Sequence, residues 1–453
     1  MTCRSTGLPL ATLFLLATAS ATLFAQDHDP AAIAAWEKAI RSSEQDQPPP
    51  KTQTPPPKTP PAQQSPIEPR YNFREEQEAA PRPGNVTLDP KYTGFMLIPN
   101  TPAMIKFNAK PRVDMTMDNQ NTGDDNRFIT ARIPVSTDPT QGGGRQFNIN
   151  AKGSQLTLEV RAPEVEGAPR FYYQNDFYGS GPGEFPYRVR HLYGQIYNVI
   201  VGMTFSVFED PDVWPDTVDY EGPNAATFAR RPLARFMLPL DTRWQLNVGL
   251  EQPESEIDTS IDPAARGVNH SPDVGVNARW EEDKVGHLQL AAIFRNLAVN
   301  GPVAGSQRTF GWGVNLSAAF STCGKDSVQG QLTYGEGIFR YCNDDFFNND
   351  AAFDSNGDLK PIPYFGAMLG YTHHWNEEWR STATYGYVHL TNLASQGPTA
   401  YHLTHYASVN LVWQIRKRLS LGLEALYGSK EENDERRGNA VRVQFGLLYS
   451  LFD

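Results

Sequence analysis

Arginine side chains recur in segments of this 453-residue chain whose other residues favour β-strands. Arg188 and Arg190 lie two residues apart, and since strand side chains alternate between two faces, a strand places both on one face. Arg161 and Arg235 lie within or beside other strand-like segments. A guanidinium group that faces water attracts anions, and its planar fork suits carboxylates. Further strand-like segments contain or adjoin Arg170, Arg279, Arg295, Arg340 and Arg442. Together the strand arginines predict an anion-steering surface, with ion pairs that only brace a protein wall as the alternative.

An acidic segment, residues 207–231, separates two of the strand-like segments. Its prolines and aromatic residues predict a rigid loop. Folded inward, this loop would narrow a pore and set a transverse field against the arginines. Folded outward or against a second subunit, it would leave the pore wide, and the sequence leaves both arrangements open. The acidic residues that would form a constriction loop are Glu209, Asp210, Asp212, Asp216, Asp219 and Glu221.

The elements that must position these residues are strands. From about residue 104 to the C-terminus, about 16 segments of roughly 8–16 residues are rich in Tyr, Phe, Val and Thr. In the last segment Val441, Val443 and Phe445 share one phase, while Arg442 and Gln444 occupy the other. One apolar and one polar face per strand is typical of a membrane-spanning barrel.

A soluble β-sandwich also alternates, but its strands are usually nearer 5–6 residues. An arginine on a lipid-facing position costs about 2–4 kcal/mol at the middle of a bilayer, so strand arginines should face the lumen. Short connections such as 323–326 and 376–378 alternate with long ones such as 119–144 and 253–271. This asymmetry indicates an all-β fold, a transmembrane antiparallel β-barrel of about 16 strands covering residues 96–453. Cys323 and Cys342 then lie at opposite ends of a strand, so no disulfide is expected between them.

The N-terminal region, residues 1–95, differs from the rest of the chain in amino-acid composition. Residues 1–25 combine Arg4, a short apolar run and small residues before Ala25, which predicts a cleaved signal peptide. Residues 26–95 hold a possible short helix at 30–45 and a disordered proline-rich linker, expected in the periplasm. This linker is either a tether without a partner or a contact to peptidoglycan.

Several functions are disfavoured. A net charge of −11 argues against nucleic acid as a partner, and no apolar run is long enough for a transmembrane helix. A barrel hydrolase would need serine and histidine on one strand face, and no convincing pair exists, so we expect no enzyme and no cofactor. Asp354 and Asp358 resemble part of a calcium loop but lack the later glutamate, so no metal site is expected.

Several ordered motifs between about residues 95 and 345 resemble the DcaP-like family of outer-membrane porins. They are Asn175-Asp176-Phe177-Tyr178 with Gly179-Ser180-Gly181, Arg188 to Gly194, Gly202 to Ser206, Asp219 to Pro223, Gly324 to Ser327, Tyr334 to Ile338, and Arg340-Tyr341. The C-terminal third is similar only as a generic barrel. Two features depart from the family: the N-terminal coiled-coil segment is replaced by the helix and proline linker, and Asp453 follows the terminal aromatic Phe452.

The resemblance implies a homotrimeric, 16-stranded porin in outer-membrane lipid. It further implies passive diffusion of small anionic solutes such as dicarboxylates, past a constriction lined by Arg161, Arg188, Arg190 and Arg235. The alternative is a structural barrel that its N-terminal segment ties to peptidoglycan, with only non-selective leakage.

Overall fold

A computed structural model describes residues 94–135, 144–180, 183–344 and 349–451. The expected signal peptide, the helix at 30–45, the proline-rich linker and the C-terminal pair 452–453 lie outside these residues. Within the described residues, no helix is long and apolar enough to cross a membrane.

Twenty-two strand segments make up most of the described chain, joined by turns and by three 3₁₀ turns at Thr130–Arg132, Pro211–Val213 and Phe339–Tyr341. The strands are β1 (Met96–Leu97), β2 (Met104–Lys110), β3 (Arg112–Asp118), β4 (Gln146–Asn150), β5 (Gln155–Arg161), β6 (Arg170–Asp176), β7 (Arg188–Ile196), β8 (Val199–Phe205), β9 (Arg230–Pro239), β10 (Trp244–Glu251), β11 (Arg266–Val268), β12 (Asp273–Glu282), β13 (Gly286–Gly301), β14 (Gly305–Ser321), β15 (Ser327–Glu336), β16 (Ala351–Phe353), β17 (Leu359–Pro361), β18 (Pro363–His374), β19 (Trp379–Leu390), β20 (Tyr401–Arg416), β21 (Leu419–Glu432) and β22 (Arg437–Tyr449).

Twenty of these strands form one antiparallel sheet, and β16 and β17 form a separate hairpin. From β5 onward the long strands pair mostly with their neighbours in sequence. The last strand, β22, pairs with β3, from Arg442 opposite Asp118 to Leu448 opposite Arg112. Strands from the two ends of the described chain therefore lie side by side.

The predicted count of about 16 strands is lower than the 22 segments observed. Pro111 lacks a backbone N–H and separates β2 from β3, while a turn at 151–154 separates β4 from β5. The other four extra segments, β1, β11, β16 and β17, are only two or three residues long. Short segments of this kind lie below the length at which sequence alternation can be read.

The two faces of the sheet have inverted polarity compared with a soluble protein. On β20, Val409 and Leu411 are exposed while Asn410 between them is buried, and on β22 Val441 and Val443 are exposed while Arg442 is fully buried. We call the exposed apolar side the outer face and the buried polar side the inner face. The alternation predicted from the sequence for these two strands is confirmed.

Connections at the two ends of the strands differ in length. Short turns at 197–198, 283–285, 375–378 and 417–418 lie at one end, and the long segments 119–145, 206–229, 252–265 and 337–350 lie at the other. Cys323 is exposed in the short turn between β14 and β15, whereas Cys342 is buried after Phe339–Tyr341, and both are free thiols.

Candidate functional site

The acidic segment between β8 and β9 folds against the inner face of the sheet. Inner-face amides donate hydrogen bonds to its backbone carbonyls: Asn315 Nδ2 to Phe208 O at 3.2 Å and Asn410 Nδ2 to Asp216 O at 2.7 Å. Gln444 Nε2 reaches Val218 O at 3.4 Å. Because these donors come from β14, β20 and β22, the segment crosses the inner face from one part of the sheet to another. Of the two arrangements left open by the sequence, the structure has the inward one.

Glycines on the inner face make room for this inward loop, which we define as residues 206–229. A Cβ on Gly370 would lie 2.7 Å from Pro215 Cγ, and one on Gly249 would lie 2.6 Å from Val207 Cγ2. A real Cβ cannot approach so closely, so larger residues would displace the loop. The glycine positions in these strands therefore mark where the loop packs.

Asp210 joins the inward loop to the strands through several side-chain contacts. Its carboxylate accepts hydrogen bonds from Arg279 Nη1 at 2.9 Å and Ser317 Oγ at 2.7 Å, and His287 Nε2 lies 2.9 Å away. Burial by itself raises the pKa of Asp210, but the Arg279 guanidinium and His287 outweigh it and hold the pKa well below its usual range. Asp210 is therefore an ionised anchor between the loop and three adjacent strands, β12, β13 and β14.

The same cluster has the residue types of a metal site and of a catalytic triad. Ligand atoms of Asp210, Asp212 and His287 lie within 4.8 Å of one another. Arg279 already bridges both aspartates, at 2.9 and 2.8 Å, so a metal cation would meet a guanidinium there. Ser317 and His287 each bond directly to Asp210. In a catalytic triad the serine bonds to the histidine and the histidine to the aspartate, so this arrangement does not activate Ser317 as a nucleophile.

The remaining acidic residues of the loop are also bound to protein groups. Asp216 pairs with Arg380 at 2.5 Å and Glu221 with Arg127 at 3.2 Å. Asp219 accepts the Gly222 backbone N–H at 2.7 Å. Much of the loop's negative charge is thus compensated by arginines.

Glu209 closes the base of the inward loop and forms no ion pair with any described residue. Its Oε2 accepts the Ala229 backbone N–H at 2.9 Å, which links the two ends of the inward loop, and its Oε1 is buried without a hydrogen-bond partner among the described residues. Burial raises the pKa of Glu209 to about 8, although that backbone hydrogen bond and nearby arginines lower it. This carboxyl group is a neutral closure of the loop base at and below neutral pH.

Two of the four predicted arginines, Arg188 and Arg190, are brought together by the structure. Both bond to the buried Asp176: Arg188 by two hydrogen bonds at 2.8 and 2.5 Å, and Arg190 by one at 2.7 Å. Arg190 also reaches Tyr220 Oη of the inward loop at 2.5 Å. Arg188 stays about a quarter exposed, whereas Arg190 is buried. Two guanidinium groups therefore share one carboxylate beside the loop.

Arg161 lies elsewhere. It is opposite Arg170 in the pairing of β5 with β6, and Arg170 is opposite Gln195 on β7. Gln195 is seven residues along β7 from Arg188, or about 23 Å at the rise of a strand. Arg161 pairs with Glu159 at 2.5 Å near the short turns, so it is remote from Arg188 and Arg190.

Arg235 lies on β9, where a guanidinium nitrogen donates to the Phe205 backbone carbonyl. It forms no ion pair with any residue that the structure describes. By register its backbone lies in the same row as Arg161, because Arg235 is opposite Ile200 of β8 and Ile200 is opposite Gln195 of β7.

Arg230 was missed by the sequence reasoning. Its guanidinium carbon lies 4.4 Å from the centre of the Phe228 ring and 5.4 Å from that of Phe205, and it has no hydrogen bond or ion pair with any described residue. Arg188 and Arg190 are near enough to repel it electrostatically. Alternation along β9 would assign Arg230 to the outer face with Phe236, so the available signal was its position directly after the acidic loop.

Comparison with known families decides the relationship of this chain. The model of the DcaP outer membrane protein family matches residues 97–450. This chain belongs to the DcaP family. The resemblance read from the sequence motifs is therefore confirmed, and membership places the chain in the bacterial outer membrane.

A solved channel structure shares this fold. The outer membrane channel DcaP of Acinetobacter baumannii superposes with a TM-score of 0.68 at 19% identity, over 77% of this chain and 97% of that one. OmpT of Vibrio cholerae gives 0.49 at 10% identity over 78% and 100%, and OprB of Pseudomonas putida gives 0.48 at 10% over 77% and 94%. A search among curated proteins finds no match.

Proposed function

We propose that this DcaP-family protein is an outer-membrane channel for passive diffusion of small, preferably anionic organic solutes, with carboxylates such as dicarboxylates as the preferred class. Family membership and the fold shared with a DcaP channel support a channel. The inward loop supports a narrow one, because it occupies the inner face between β12 and β22.

We further propose that the wall is a closed barrel of sixteen strands. The pairing of β22 with β3 supports closure, and β2 with β3 and β4 with β5 each extend as one strand across an interruption. Short turns then face the periplasm and long loops face outside. The family resemblance supports a homotrimer, for which chemical cross-linking in isolated outer membranes would yield a band at three times the monomer mass.

The observation that carries the anion preference is Arg230, whose guanidinium forms no ion pair with any described residue. Arg188 and Arg190 share Asp176, so that group has a net charge of about +1, and Arg127 is balanced by Asp124 and Glu221. Arg230 adds a positive charge beside them and forms no ion pair with any described carboxylate. A solute carboxylate is the partner that such a guanidinium lacks, and bidentate pairing would favour carboxylate over chloride.

Reversal potentials across planar bilayers with a salt gradient test this proposal. The wild-type channel should be anion-selective, and Arg230→Gln should lower the chloride-to-potassium permeability ratio by several-fold, since one unscreened charge is removed from the narrow region. Arg161→Gln is the matched control: it removes the same charge from the row of Arg235, five residues or about 17 Å along β9 from Arg230, and should change the ratio far less. Cation selectivity of the wild type, or equal effects of the two variants, would overturn the proposal.

A further inference from the structure

A shallow groove of about 490 Å³ lies on the outer face of β12, β13 and β14. Phe294 and Phe310 form its floor, with ring centres 6.3 Å apart and stacked, and both side chains are exposed. Arg308 and Asn296 lie at its end nearest the long loops. None of the described lining residues is acidic.

The position of this groove relative to the membrane follows from β14. Phe310, Trp312, Val314, Leu316, Ala318 and Phe320 share its outer phase. From Phe310 to Phe320 the strand rises about 34 Å, and a tilt of about 45° gives an apolar band of about 24 Å, the height expected of an outer-membrane barrel. Arg308 is the next outer-phase residue beyond this band. Its guanidinium therefore lies at the level of the lipid headgroups, on the long-loop side.

Arg308 is exposed and has no hydrogen bond or ion pair with any residue in the described part of the chain. Arg266 lies on the same face nearby, because it is opposite Asn300 while Arg308 is opposite Ala298 of the same strand. Arg266 donates only to the Pro263 and Ala265 carbonyls. Two strand spacings and two residues of stagger separate the two arginines by roughly 12 Å.

We propose that this groove binds one phosphorylated, acylated saccharide lipid of the outer leaflet. An acyl chain lies over Phe294 and Phe310, a phosphate group binds Arg308, and a second phosphate is within reach of Arg266. The side chain of Asn296 offers hydrogen bonds to sugar hydroxyls. The phosphate supplies the partner that Arg308 lacks within the protein. Net charge selects this lipid over a zwitterionic phospholipid, because the phosphate of the latter is balanced by an ammonium group of the same molecule.

The test uses the full chain purified in detergent and titrated with diphosphoryl lipid A, with bound lipid counted by native mass spectrometry. Arg308→Gln should weaken lipid A binding by about fivefold, the loss expected for one charge-assisted hydrogen bond at a surface. Binding of phosphatidylethanolamine should not change. Phe310→Ala should weaken the binding of both lipids, because it removes the apolar floor of the groove.

Arg243→Gln provides the matched control, since Arg243 is an exposed arginine near the short turns, paired with Glu282 at 3.1 Å. It should leave lipid A binding unchanged. Equal affinity of wild type and Arg308→Gln would overturn the proposal. Competition by inorganic phosphate at the same concentration as the lipid would also overturn it, because the groove would then be a site for the free ion. Disulfide cross-linking of Phe310→Cys between two copies in intact cells would overturn it as well, because the groove would then be a subunit interface. Bilayer selectivity should be the same in all these variants, which separates this proposal from the proposed channel function.

Discussion

Asp210 should hold the inward loop in place, and Asp210→Asn should release it. The side chain is fully buried, and it bonds to Arg279, Ser317 and His287 at distances of 2.7–2.9 Å. Breaking a buried ion pair by removing one partner costs about 3–5 kcal/mol. Arg279 keeps its ion pair with Asp212 at 2.8 Å in this variant. We therefore expect a loss of roughly 3 kcal/mol, the lower end of that range, from the free energy that holds the loop against the inner face.

Single-channel recording measures the consequence directly. A loop that leaves the inner face widens the path, so Asp210→Asn should raise conductance and add flickering between two levels. Asp212→Asn is the control: it pairs with the same Arg279 but is about a fifth exposed, so its loss should cost about 1 kcal/mol and leave conductance close to wild type. Unchanged conductance and thermal stability in Asp210→Asn would refute the anchoring role.

The pH dependence of this anchor follows from the sign of its pKa shift. The folded pKa of Asp210 is below its ordinary value, so its stabilisation is complete above the ordinary aspartate pKa of about 3.9 and is lost only as the pH falls well below that value. Conductance of the wild type should therefore be constant between about pH 7 and pH 4 as far as this contact is concerned. Opening near pH 6 that disappears in Asp210→Asn would contradict this reasoning.

Three further variants test other parts of the site. The pKa of Glu209 is raised to about 8 from 4.5, so the folded protein binds the extra proton and stability should fall as pH rises through that window; Glu209→Gln should flatten the fall in urea titrations at different pH values. Gly370→Val should push Pro215 and the loop away from the wall and raise conductance, because a Cβ would lie 2.7 Å from the proline ring. Asp176→Asn should strengthen anion selectivity in reversal-potential measurements, since it removes the carboxylate that Arg188 shares; a shift toward cations would contradict this.

Part of the candidate site could be predicted from residue spacing. Arg188 and Arg190 are near neighbours in the chain, and a short strand was enough to place them together. Arg161 and Arg235 were grouped with them only through the family resemblance, and strand register separates Arg161 by about 23 Å. Register depends on the pairing of whole strands, which no local pattern specifies.

Arg230 shows the opposite failure. Its phase along β9 suggests the outer face, yet the chain enters the strand from the inward loop, and its guanidinium lies between Phe205 and Phe228. For Asp176, the sequence predicted membership of a family motif but no ion pair with the arginines. The Asp176 carboxylate neutralises part of the charge that the arginine pattern predicted, because it is opposite Arg188 in the β6–β7 pairing.

The sequence by itself determined the strands, their inverted polarity and the family, because alternation has a period of two and each strand records its own two environments. The alternation did not predict the interruption of a strand at Pro111 or the strand segments of two or three residues. Only the tertiary structure decided that the acidic loop folds inward, that much of its charge is paired with arginines, and that Arg230 forms no ion pair with any described residue. These features depend on contacts between segments about 60–230 residues apart, where three-dimensional packing rather than local pattern selects the partner.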